Sequence, residues 1–483
     1  MLMTMRPLFS FLSIASGALE VLNAANDYLW TYVVIVLLVF CALYFTIRLR
    51  GVQFRMLKDM WRVMLGRDRK PVALEEKGTR RIGSFGAFAV SLSSRVGTGN
   101  LAGVASAIFV GGPGAIFWMW VMALFGSATA FVESTLAQLY KKRGADSFYG
   151  GPAYYMQTGL KRRWMGVLFA ILITITFGMA NQVVQSNTLC DALSNAMCVD
   201  KLWVGIVLTL ATLAIIFGGI QRIARFSSMV VPFMAMGYIL LAFYIVVINI
   251  TELPSVLVLI FRSAFGFEQV SGGVVGVAIM QGVKRGLFSN EAGEGSAPNA
   301  AAIADTSHPV KQGLIQALGV FVDTLVICTC TAFIILVSGQ YTNGVDGILL
   351  TSLAVESQVG IAGRYFITAA IFLFAYSTII ANYFYGETNI RFVTQHPAAV
   401  RMFRFITGGT VLLGALVSLQ TAWSMVDIMM GLMTLVNLVA ILLLSGKVFA
   451  LLRNYIAQKR EGKEPEFHRH MMPDIEKDLE CWE

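Results

Sequence analysis

Hydrophobic positions along the chain gather into runs of roughly 20 residues, each long enough to cross a bilayer as a helix. The runs fall at 28–47, 82–110, 114–138, 164–188, 202–220, 226–249, 270–296, 311–337, 364–385, 402–419 and 422–446. They predict an all-α integral membrane protein with eleven spanning helices. Ahead of them, in residues 1–27, the apolar stretch Phe9 to Leu22 follows a lone Arg6 and lacks a clean small-residue cleavage site. It reads as an amphipathic helix at the membrane interface rather than a signal peptide. Beyond the runs, 447–483 is polar and charged and carries Pro465 and Pro473, which suits a short cytoplasmic tail too small to fold alone.

With the first run set aside, 82–249 and 270–446 hold five runs each. An odd number of crossings makes the second half run through the membrane in the opposite sense, the inverted-repeat arrangement of secondary transporters. In both halves the leading run is interrupted by glycine and polar residues. The first break is SSRVGTGN, with a helix expected to unwind over Val96 to Asn100; the second is QGVKRGLFSNEAGEGSAPN at 281–299. Unpaired backbone is costly in hydrocarbon, so such breaks survive only where they line a cavity or are buried in protein. Matching breaks in matching helices point to a substrate site. A dinucleotide loop would need a soluble strand–turn–helix and an acid about 20 residues on; the sequence IFWMW stands there instead. Gly99-x-x-x-Gly103 also fits a small-residue packing seam, with close packing expected through Gly103.

Composition agrees: 57% of residues are hydrophobic, 13% charged, and the mean hydropathy is +0.69. The net charge of +9 has a location. Eleven lysines and arginines face four acids in 48–81, whereas 338–363 has no basic residue. The positive-inside rule puts the N-terminus outside and the C-terminus in the cytoplasm, so the basic excess is loop bias and not a nucleic-acid surface. Cys190 and Cys198 bracket a short polar loop, and the spacing leaves their pairing open. All four histidines lie in loops or the tail and no HExxH occurs, which argues against a membrane hydrolase. A channel would typically repeat a filter or charged ring through oligomer symmetry, whereas this chain carries its symmetry internally.

The stretches SSRVGTGNLAGVASAI, GGPGAIFWMWVMALFG, GGPAYYM, GVKRGLFSNEAGEGSAPNAAA, DTLVICT and AYSTIIANYFYGE closely resemble those of the alanine/glycine:cation symporter family, and the likeness spans nearly the whole chain. The resemblance implies a leucine-transporter-type bundle with one extra N-terminal helix in the bacterial inner membrane. It implies import of a small neutral amino acid coupled to Na+, less often to protons, with no organic cofactor. Two positions depart from the family pattern: Glu294, where an apolar residue is usual, and Ala381-Asn382, where many members carry Gly-Trp.

Half-helix ends present free amides on one side and free carbonyls on the other. The amides of Thr98 and Gly99 are therefore expected to meet a substrate carboxylate, and the carbonyls and hydroxyl around Phe288 and Ser289 its ammonium and side chain. Gln182 lies mid-span as a pocket or interhelical group, and Asn100 as a substrate or second ion ligand. Sodium takes oxygen ligands. The family resemblance puts the hydroxyls of Ser377 and Thr378 beside the carbonyls of Ser93 and Val96 as that set. Arg95, Lys284, Arg285, Glu291 and Glu294 are ionisable groups at the breaks. Glu291 is expected to pair with Arg95 or Arg285 as a gate, and Lys284 and Arg285 to snorkel toward the cytoplasmic end.

Overall fold

The computed structural model describes residues 24, 26–66, 82–144, 147–266 and 272–482. The interfacial helix expected at Phe9–Leu22 lies outside them. Among the described residues seven helices are long and apolar enough to cross a membrane. They are α1 (Asn26–Arg48), α4 (Gly114–Leu139), α5 (Arg163–Met197), α7 (Gly219–Ile248), α11 (Pro309–Ser338), α13 (Ile361–Val393) and α15 (Leu419–Arg460). Four other expected spans are helical but shorter, broken or less apolar. Two are the interrupted helices, α2 (Ser84–Arg95) with α3 (Gly99–Gly111), and α9 (Gly272–Asn290) with α10 (Ala297–Ala302). The others are α6 (Lys201–Ile216) and α14 (Pro397–Gly414). Two apolar helices, Leu253–Phe265 and α12 (Gly347–Val359), were not among the expected runs.

Boundaries moved where polar residues join a helix that packing supports. The helix expected to start at 226 begins at Gly219, and the last helix runs on to Arg460, well past the expected end at 446. Pro232 inside α7 leaves that helix continuous. Helices in corresponding positions of the two halves pack on one another: α4 on α11, α5 on α13 and α6 on α14. α4, α5 and α13 are buried along most of their length, whereas α7 exposes Met229, Phe233, Leu240 and Phe243, as a lipid-facing helix does.

At the other end of α11, His308 caps the helix through Nδ1, which accepts from the Val310 amide at 3.2 Å. Burial pushes this imidazole down to about 3, so it caps as the neutral base. The tail folds back here: the Phe467 amide donates to the Ser307 carbonyl at 2.8 Å and Trp482 Nε1 to the Leu139 carbonyl at 3.1 Å. Cys190 is buried, Cys198 exposed, and both are free thiols.

Candidate functional site

The first break is tighter than the glycine pattern suggested. The helix ends at Arg95, Val96 leaves it with ψ 82°, and helical backbone resumes at Thr98, before a wider turn over Gly99–Gly103. Only Val96 and Gly97 separate the halves, and Asn100 is helical. Free amides are met by side chains: Gly97 donates to Asn100 Oδ1 at 2.9 Å and Thr98 to Gln185 Oε1 at 3.0 Å. Gln185 is steadied by Asn181 at 2.8 Å. In this conformation the Thr98 amide is therefore held by Gln185, while its buried hydroxyl has no partner among the described residues. Gly103 is not a packing seam, because a Cβ there would meet nothing nearer than 3.9 Å. Close approach occurs instead at Gly99, where a Cβ would lie 2.9 Å from the Phe288 ring and 3.3 Å from the Ser289 backbone.

The second break is also shorter than expected. α9 stays helical through Asn290, and only 291–296 are irregular. Glu291 adopts φ 57°, which is uncommon for a residue with a Cβ. Gly293 and Gly295 take φ 96° and 86°, conformations open to glycine. Their amides both donate to Glu133 of α4, at 3.1 Å each, and Asn437 Nδ2 adds a bond of 2.8 Å. Asn437 also donates to the Gly293 carbonyl at 2.9 Å and accepts from the Tyr155 hydroxyl. A buried carboxylate thus replaces the helical partners that the break removed.

The two broken helices meet across one charged residue. Asp323, buried in a widened stretch of α11, accepts from Asn100 Nδ2 at 2.7 Å and from Ser289 Oγ at 2.6 Å. The Cys328 thiol touches the same pair, at 3.3 and 3.1 Å. Phe288 packs edge-to-face on Trp423, with centroids 4.6 Å apart. Asp323, Gln185, Glu133, Asp427 and Trp423 were not singled out from the sequence. A lone acid inside an apolar run was the available signal for Asp323 and Glu133.

Part of the oxygen set expected to take sodium comes together at Thr378. Thr378 Oγ1 donates to the Ser93 carbonyl at 2.8 Å and lies 3.4 Å from that of Val96. Ser93 Oγ donates to the Ser377 carbonyl at 2.9 Å. The Ser377 hydroxyl instead turns back to the Phe374 carbonyl at 3.0 Å, with Met234 Sδ at 3.6 Å. The oxygens at Thr378 are neutral, the kind a hard monovalent cation accepts.

The ionisable groups pair differently from expectation. Arg285 meets Asp427 of α15 through both terminal nitrogens, at 3.2 and 3.3 Å, and lies 4.0 Å over the Trp423 ring. It does not pair with Glu291. Lys284 faces Asp27 at 3.5 Å and the Trp30 ring. Both basic residues are buried rather than snorkelling, on the half of α9 that packs beside α1. Arg95 donates to the Gln316 carbonyl at 3.0 Å. Glu291 instead accepts from Ser94, from Ser296 at 2.7 Å and from Tyr385 at 3.4 Å. Ser94 Oγ also lies 2.7 Å from the Asn382 side-chain amide, while Gln182 ties α5 to α13 by donating to the Ile379 carbonyl at 3.0 Å.

Two interrupted helices braced against continuous ones within an apolar bundle are the build of a multi-pass membrane transporter. The chain belongs to the sodium:alanine symporter family, whose model matches residues 16–469. It is 50% identical over 464 residues to the probable sodium/glutamine symporter GlnT of Bacillus subtilis, covering 96% of each chain. It is 48% identical to the amino-acid carrier protein AlsT of the same organism, covering 96% of this chain and 97% of that one. In fold it matches a substrate-bound outward-open Na+-coupled sialic acid symporter, with TM-score 0.52, 15% identity, and 93% and 97% of the two chains covered.

Proposed function

We propose that this protein imports a small neutral amino acid together with Na+ by alternating access, as a multi-pass protein of the bacterial inner membrane with its N-terminus outside and its C-terminus in the cytoplasm. The reading takes 82–249 and 270–446 as inverted repeats within a transport domain of 28–446. The observation that carries it is the close approach of the helices beside the two breaks, at Gly99, Phe288 and Ser289, flanked by the oxygen cluster at Thr378.

The substrate carboxylate would sit at the start of α3, meeting the Gly99 amide and the unpartnered Thr98 hydroxyl, with Gln185 yielding the Thr98 amide. Its ammonium would face the Phe288 carbonyl at the end of α9, where Ser289 and Asn100 lie against the Asp323 carboxyl group. Sodium would be held by the Ser93, Val96 and Phe374 carbonyls and the Ser377 and Thr378 hydroxyls. That cluster bridges α2 and α13, so an ion there favours the state in which the two helices are close. An ion bound more tightly in one state shifts the population by that difference in affinity. Phe288 on Trp423 and Arg285 on Asp427 would close the side where α1, α9 and α15 begin. The first of these chains' named substrates is glutamine and the family's is alanine, so the pocket is read as taking alanine or glycine, with glutamine as the second reading.

Radiolabelled alanine and glutamine offered to proteoliposomes test this. Accumulation above the external level is expected with an inward Na+ gradient and not when K+ replaces Na+. Accumulation driven by a proton gradient alone would overturn sodium coupling. Gly99→Leu is expected to cut uptake at least about tenfold, since its side chain would occupy the gap against Phe288. Uptake at wild-type affinity in that variant would remove the carboxylate from this end.

A further inference from the structure

Glu294 stands in the second break between Gly293 and Gly295 and is completely buried. Neither of its carboxyl oxygens has a hydrogen-bond partner among the described residues. Its neighbours are otherwise satisfied. Glu133 holds the Gly293 and Gly295 amides and Asn437, and Glu291 holds Ser94, Ser296 and Tyr385. The charged groups that act on Glu294 are those two carboxylates and Arg95. An ionised Glu294 here would be a negative charge beside two other buried carboxyl groups, without a hydrogen-bond donor and out of reach of water. Such a group is held only in its neutral form.

From this we infer that Glu294 is a proton-binding site, and that the carrier must load a proton there before the site can close. The reading rests on the alternating-access function proposed above. When the break opens to water, Glu294 is an ordinary carboxylate and titrates with the bath. Closing the bundle around it requires the carboxylate oxygen to take a proton, forming the O–H bond, and reopening lets that proton leave. The flanking glycines give the segment the backbone freedom to move between those situations. Glu133 and Glu291 differ from Glu294 in that each has hydrogen-bond donors of its own.

The test is sodium-driven uptake at equal pH on both sides of the membrane, from 5.5 to 8.5, in wild type, Glu294→Gln and Glu294→Met. Wild-type uptake is expected to fall as pH rises, approaching about tenfold per unit where closure limits the rate. Both variants stay neutral at every pH, so each is expected to give a nearly flat profile and to exceed wild type at pH 8.5. A wild-type profile that is already flat overturns the inference, even if both variants fail to fold. So does a variant that folds and keeps the wild-type slope. If wild type does not accumulate the amino acid at any pH, the proposed function fails instead, and the two failures are told apart by the sodium-gradient control at pH 5.5.

Discussion

Thr378→Val is expected to raise the sodium concentration for half-maximal uptake by at least about tenfold, with little loss of folded protein. Thr378 Oγ1 is the side-chain oxygen that reaches both the Ser93 and Val96 carbonyls, which the break in the first helix leaves without helical partners. Valine has nearly the same shape but offers a methyl group where the ion would meet oxygen. A loss of about 1.4 kcal/mol from one ligand corresponds to tenfold in affinity. Ser377→Ala should do less, because that hydroxyl turns back to its own helix. Uptake measured against sodium at saturating amino acid checks this, and an unchanged sodium curve for Thr378→Val would refute the assignment. The amino-acid affinity at very high sodium should stay close to wild type, which separates loss of the ion from general damage.

Glu133→Ala is expected to cost the most stability of any single change near the site. It removes the acceptor of the Gly293 and Gly295 amides and of Asn437, all buried. A buried donor left unsatisfied costs about 1–3 kcal/mol, and the amides left behind have no water to turn to. The purified variant should therefore lose its monodisperse peak after heating at a distinctly lower temperature than wild type, and should not transport. Glu133→Gln keeps one acceptor oxygen and is expected to fall between the two. A Glu133→Ala protein that melts with wild type would mean the second break is held by something other than this carboxylate.

Much of the architecture was legible from residue order alone. Each of the eleven expected runs has a helical counterpart, because a lipid-soluble run must satisfy its own backbone and the helix does so within the segment. The two breaks were legible for the converse reason, since glycine and polar residues have no place in a lipid-facing helix. Their extents were not. Asn100 and the stretch from Gln281 to Asn290 looked unwound by composition, yet neighbouring helices supply enough contacts to keep them helical. Gly103 followed a packing motif but has only ordinary contacts at 3.9 Å, whereas Gly99 makes the close approach. A spacing rule names candidates on a helix surface, and only the neighbour decides which one is pressed against.

The partners of the charged groups show the same division. The sequence marked Arg285 and Glu291 as ionisable groups near the second break but expected Arg285 to snorkel, and both are buried. It did not indicate that Arg285 would reach Asp427, well over a hundred residues away, or that Glu291 would be met by three hydroxyls. Residue order determined the class of protein, most of its helical runs, the neighbourhood of the breaks and the donor types available there. The tertiary structure alone decided which donor meets which acceptor, because those pairings depend on how distant helices pack, and nothing local along the chain encodes that distance.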